Sequence, residues 1–249
     1  NAIGRSLYHY YFTQKSGCQY CTTYSIDETK AELLVFGSST ASHHYVPEVF
    51  EKCLQMSFYN SGRDMAGIYY HLAVLKAIVK RHSPKIVILD ISRNDFEYGY
   101  NVMDRFFLLP YYKTHPEIKN MVDSISRFEK LKMISNIYPF NSQVLNILIG
   151  NREVKKSNKT DNKGYIAYYS EEIQLAGTVK APSQPSFDSN KQRAFKNFIE
   201  VARGSGAMVF VVNSPFYTCQ EIEKVPERIL ILCEKLSVPF LDYSDHSAF

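Results

Sequence analysis

Glu32-Leu33-Leu34-Val35-Phe36-Gly37-Ser38-Ser39-Thr40-Ala41 decides the fold. Leu33 to Phe36 form an unbroken apolar run, which suits a strand covered on both faces, and the reading places that strand at about 32–36. It stops at Gly37-Ser38-Ser39, and a helical segment opens at Pro47, a residue favoured in the first turn of a helix. Open α/β sheets hold their ligands at the carboxyl ends of such strands. A structural alternative is that Ser38 or Ser39 caps the next helix.

Outward from this stretch the same rhythm recurs. A short strand near Met56–Tyr59 leads into Asn60-Ser61-Gly62-Arg63-Asp64. Ile68, Leu72, Leu75 and Val79 mark one face of a helix that Pro84 stops, and Lys85 to Ile91 reads as a buried strand. After Asp188 the rhythm resumes, with a helix carrying Phe195, Phe198, Ile199 and Ala202 and a strand from Ala207 to Val212. A last helix opens at Pro226 with Ile229, Leu232 and Leu236 on its inner face, and a fifth strand runs from Val238 to Leu241. Strands alternating with helices predict a doubly wound parallel five-stranded α/β sheet of flavodoxin-like order. Residues 1–30 show no clear periodicity and read as a lead-in packed on the same domain. Residues 98–188 read as a mainly helical insertion, with Ile118, Val122, Ile125 and Phe128 on one helix.

Composition narrows the function. An apolar fraction of 45% supports a full core and argues against disorder. The 19 tyrosines suit amphipathic contact with sugars or protein partners, or core packing. Of the net charge of +4, a net of +3 falls between Asn151 and Lys163, so the basicity belongs to one loop rather than to a nucleic-acid groove. Five cysteines make no disulfide framework. Cys18-Gln-Tyr-Cys21 has no second metal pair and no framing βαβ unit, so two thiols or one local disulfide are expected. HExxH, clustered acids with histidines, GxGxxG and the Walker pattern are all missing from the sequence, which predicts neither metal nor cofactor. No apolar run reaches membrane-spanning length. The first residue is not Met, which suggests a preceding leader or anchor and an extracytoplasmic or periplasmic location.

Set side by side, the strand ends are Gly37-Ser38-Ser39, Asn60-Ser61-Gly62 and Ser92-Arg93-Asn94-Asp95. In a doubly wound sheet these turns gather on one edge and bring together a hydroxyl, backbone N–H groups and a side-chain amide. Acyl transfer needs that set: a nucleophile, and donors for a tetrahedral oxyanion.

The stretch from Ala31 to Phe96 resembles the first blocks of the SGNH (GDSL-type) hydrolases, closest to a bacterial branch reading GSSxAxHH, YNxGRD and a strand of IVILD type ending in Asn-Asp. Ser214 to Tyr217 and 238–244 resemble later parts of that branch. The resemblance implies Ser39 as nucleophile, Asn94 in the oxyanion hole, and a small-molecule or carbohydrate ester, including cell-envelope esters, as substrate. His43, His44, Arg63 and Asp64 flank the first two turns and are candidate substrate contacts. Two positions depart from the pattern. The family's oxyanion glycine falls at Met65, flanked by Gly62 and Gly67, so the loop either uses a flanking glycine or narrows the acyl pocket. The family's late Asp-x-x-His is also missing. Asp242 and His246 stand four apart and directly after the last strand, and the expectation is that the chain stops before that block. The alternatives are a catalytically inactive SGNH-like module that binds a glycan or a protein, and a nucleotide-binding domain.

Overall fold

The computed structural model describes residues 2–98, 101–125, 128–154, 162–167, 187–215 and 227–244. Two helices, α1 (Ala2–Phe12) and α2 (Gly17–Asp27), precede strand β1 (Leu33–Phe36). Then come α3 (Ser39–His44), α4 (Pro47–Leu54), β2 (Phe58–Asn60), α5 (Ile68–Val79) and β3 (Ile86–Asp90). A 3-10 turn at Arg93–Phe96 opens the helical region, made of α6 (Asn101–Leu108), α7 (Pro116–Ile125), α8 (Glu129–Lys132) and α9 (Val144–Val154). The chain returns through α10 (Ser189–Gly204), β4 (Met208–Asn213), α11 (Glu227–Lys235) and β5 (Phe240–Asp242).

All five strands run parallel in the order β2-β1-β3-β4-β5, the expected flavodoxin-like order. The register pairs Leu33 with Phe58 on one side and with Ile86 on the other, and Ile86 with Met208. Parallel pairing sets every carboxyl end on one edge, so Gly37, Ser61, Ile91 and Ser214 follow their strands there.

Both faces of the sheet are apolar because both are covered. Leu34, Phe36, Val87, Leu89 and Val211 pack against α5 and α10, whereas Leu33, Val35, Ile86 and Ile88 pack with Tyr45 and Phe58 beside α3 and α4. Burying side chains of this size contributes about 1.5–3 kcal/mol each, which pins the register against slippage. α5 is buried along nearly its whole length, between the sheet on one side and α2, α6 and α7 on the other.

Three expectations need correction. Residues 1–30 contain two helices rather than an aperiodic lead-in. The buried face of α2 is Cys21, Thr22, Ser25 and Ile26, and hydropathy cannot see a stripe that is half hydroxyl. The helix through Ile118 and Val122 ends at Ile125, and Phe128 lies exposed beyond it. The second strand is shifted towards the carboxyl end and finishes on the fully buried Asn60. Among the described residues no helix is long and apolar enough to cross a membrane. Among the described residues Cys18, Cys21, Cys53 and Cys233 form no disulfide.

Candidate active site

The turn after β1 takes its shape from contact with β3. Gly37 has φ of +148°, and a Cβ there would lie 2.7 Å from the Asp90 carbonyl oxygen, so only glycine lets β1 run this close to β3. The chain enters α3 at once: Ser38 holds the N-cap position without a side-chain cap bond, and Ser39 is the first helical residue. The capping role open to Ser38 and Ser39 is therefore not used. Ser39 is partly exposed, and its hydroxyl has no hydrogen-bond partner among the described residues.

Thr40, the next residue, is anchored. Its hydroxyl donates to Asp90 Oδ1 at 3.1 Å, while Tyr45 donates to Oδ2 at 2.7 Å and Ser214 donates to the same oxygen. Asp90 thus ties the ends of β3 and β4 to α3. Its burial raises its pKa to about 6 against the pull of these three donors.

The second turn is knitted to the first. Asn60 Nδ2 donates to the Ala41 carbonyl at 2.6 Å, and Arg63 N–H donates to the Gly37 carbonyl at 3.0 Å. Gly62 N–H donates to Asn60 Oδ1 at 2.9 Å, so it is occupied and does not serve as an oxyanion donor. Met65 stands in the left-handed region with φ of +63°, where glycine is favoured, and the N–H groups of Asp64 and Met65 have no partner among the described residues.

At the third turn, Ser92 donates to Asp95 Oδ2 through its N–H at 2.6 Å and its hydroxyl at 3.1 Å. The backbone of Asn94 lies in the 3-10 turn on this edge; its side chain is outside the described residues.

These turns enclose a cleft of about 190 Å³ lined by Ser39, Met65, Gly67, Ser92, Asp95 and Lys191, among others. Lys191 and Asp95 are its charged members, and sequence reasoning did not single them out as site residues. A signal for the lysine exists: 191, 195, 198, 199 and 202 share one helical face, so Lys191 extends the apolar stripe of α10. It is 1% exposed and donates to the Glu97 carbonyl at 2.6 Å, with burial pulling its pKa down against nearby carboxylates. A larger cavity of about 380 Å³ lies between α1 and the helical region, lined by Arg5, Tyr8, Lys113 and Phe140, with no Ser, Thr or Cys among its lining residues.

The remaining candidates divide. Arg63 is buried away from the cleft, its guanidinium donating to Thr22 Oγ1 at 2.6 Å and to the Cys18 carbonyl, with Phe107 stacked 3.8 Å away. It is a scaffold residue and not a substrate contact. His43 lines neither cavity: Nδ1 meets the Ile166 carbonyl at 2.7 Å, so Nδ1 carries the proton, and Nε2 lies 3.4 Å from Asp64 Oδ1. Asp64 Oδ1 accepts no hydrogen bond among the described residues, so the two side chains approach each other across the first two turns without a hydrogen bond between them. His44 is exposed. Asp242 Oδ1 accepts from Asn213 Nδ2 at 3.1 Å and from Ser244 N–H at 3.0 Å, which closes the end of β5. His246 lies outside the described residues, so its pairing with Asp242 does too. Among the described residues no group of three or more His, Cys, Asp or Glu is placed to hold a metal ion.

Comparison of the chain with family models, with curated proteins and with solved structures finds no match to any of them.

Proposed function

We propose that this protein is a serine acyl hydrolase or acyl transferase of the SGNH kind, acting on esters with a short acyl group. One observation carries the reading. Among the described residues the Ser39 hydroxyl, which opens the helix that follows β1, has no partner, and it shares a small cleft with Met65, whose backbone is glycine-like and whose N–H is likewise unpartnered. In the mechanism, Ser39 Oγ attacks the ester carbonyl carbon and loses its proton to a base. The N–H groups of Ser39 and Met65 and the Asn94 amide stabilise the oxyanion. Collapse of the tetrahedral intermediate expels the alcohol, and water or a sugar hydroxyl then releases the acyl group. The resemblance assigns the base to a His after the last strand, a block without a counterpart in the sequence. At about 190 Å³ the cleft is smaller than the roughly 300–1,000 Å³ of drug-sized sites, which favours a short acyl group held at the rim of a larger alcohol such as a carbohydrate.

A second reading, a non-catalytic module for a glycan or a protein, is favoured by the lack of any imidazole bonded to Ser39 Oγ among the described residues. The two separate on p-nitrophenyl acetate and a fluorophosphonate probe, applied to the full-length protein and to Ser39→Ala. An enzyme labels and turns over, and the variant loses at least about 10³-fold in kcat. Labelling that persists in the variant removes Ser39 from the role, and no turnover by either protein selects the binding module.

A further inference from the structure

Helix α5 begins without a cap of its own. Its N-cap residue is Gly67, which has no side chain to satisfy the first-turn amides. A carboxylate from another part of the chain stands at this helix end and takes the amide of the N-cap residue itself. Asp104 on α6 is fully buried, and its Oδ1 accepts the Gly67 N–H at 2.5 Å. The Tyr70 amide also lowers its pKa. Asp104 Oδ2 has no hydrogen-bond partner among the described residues, and it lies 3.0 Å from where a Cβ on Gly67 would stand, so the close approach depends on glycine at 67.

Gly67 ends the turn that begins at Arg63. That turn is held at its start by Arg63 N–H on the Gly37 carbonyl, within by Ala66 N–H on the Arg63 carbonyl, and at its end by Asp104. Between these fixed points lie the unpartnered amides of Asp64 and Met65.

We propose that Asp104 is a positioning residue of the Ser39 site: by accepting the Gly67 N–H it holds the Arg63–Gly67 turn, and with it the N–H of Met65, against the cleft. This rests on the reading of Ser39 as nucleophile. A bond to a carboxylate is roughly twice as strong as one to a neutral acceptor, so the hold tightens when Asp104 ionises. Burial raises its pKa to about 7, inside the working range. The charged groups that face it are Lys191 on α10, which favours ionisation, and Asp95 on the 3-10 turn, which opposes it. Tyr69 on α5 also faces it, with Asp188 and Arg193 beyond. His71, buried near Ala66, has its pKa pulled down to about 3 and stays neutral throughout.

Function and stability then respond to pH in opposite directions. The folded state binds the Asp104 proton more tightly than the unfolded chain does, so ionisation costs global stability as pH rises towards 7 while it tightens the turn.

The test uses the full-length protein with Asp104→Asn and Asp104→Ala. It measures kcat and KM on p-nitrophenyl acetate from pH 5.5 to 9, thermal midpoints over the same range, and amide hydrogen exchange of peptides spanning residues 62–70. The expected result is a kcat reduced on the order of tenfold to a hundredfold in Asp104→Ala, with KM little changed. Exchange at 62–70 quickens in both variants. The acid limb of the wild-type kcat profile is steeper by one proton than that of Asp104→Asn, and the wild-type advantage in thermal midpoint over Asp104→Asn shrinks between pH 5.5 and 8. Unchanged exchange at 62–70, or activity lost only in step with global stability, overturns the proposal. If the wild type neither turns over ester nor takes the phosphonate, the nucleophile reading fails on its own, and the exchange data still decide whether Asp104 holds the turn.

Discussion

Met65 carries a side chain in backbone that an L-residue enters at a cost of about 1–2 kcal/mol. The side chain is 65% exposed, so packing contributes little there. What it does is border the cleft beside Ser39. Replacing it by glycine removes the strain but adds roughly 0.5–1 kcal/mol of unfolded-state entropy, so Met65→Gly is expected to leave stability equal or up to about 1.5 kcal/mol higher. The same change widens the cleft. The ratio of kcat/KM for butyrate against acetate esters therefore rises in Met65→Gly, and an unmoved ratio would show that Met65 does not bound the acyl group. At this scale the sequence was partly legible. The motif spacing led to Ser39 and to Met65 as the odd residue in a glycine's place. It could not reveal that Gly62 N–H is already taken by Asn60, because that depends on a side-chain rotamer in a folded turn.

Among the elements, those with dense apolar stripes were legible: β1, β3 and α5 fall close to their expected bounds, since hydrophobic periodicity is a local property of the chain. α2 was not legible, because its buried face works through polar groups. Thr22 meets the Tyr70 hydroxyl at 2.8 Å and Arg63, and Ser25 donates to Ser61 Oγ at 3.0 Å. Arg63 is the fastening: a buried cation with no ion-paired carboxylate among the described residues, held by the Cys18 carbonyl, Thr22 and the Phe107 ring. Truncating it strands those acceptors and leaves a void. Arg63→Ala is expected to lose about 2–4 kcal/mol, and limited proteolysis should open the Thr13–Ser16 connection between α1 and α2 before the sheet is cut. A variant with wild-type urea midpoint and protease resistance would show that α1 and α2 are held by other contacts.

For the molecule as a whole, the buried acids near the strand-end edge set the response to pH. Burial raises Asp90 to about 6, Asp104 to about 7, and Asp95 above its ordinary value. Each therefore keeps its proton in the folded state at pH values where the unfolded chain has lost it, and stability falls as pH rises from about 4 to 7. His71 opposes this, since burial pulls its pKa down to about 3 and the unfolded chain gains a proton below about 6.5 that the folded state refuses. One such histidine against three acids leaves the acids in control. The thermal midpoint is expected to be higher at pH 6 than at pH 8 by a few degrees, at about 2–4 °C per kcal/mol for a chain of this size. Calorimetry at matched ionic strength checks it, and a higher midpoint at pH 8 would refute the assignment of these carboxyls.

By itself the sequence determined the parallel sheet and the place of Ser39, because short apolar runs ending in glycine and hydroxyl residues are read locally. Only the tertiary structure decided which polar groups are buried and what they hold. Asp104 and Gly67 are 37 residues apart and Asp90 and Ser214 are 124 apart. Burying a polar side chain is costly unless folding brings it a partner, and for these pairs that partner is set by tertiary packing rather than by neighbours in the chain.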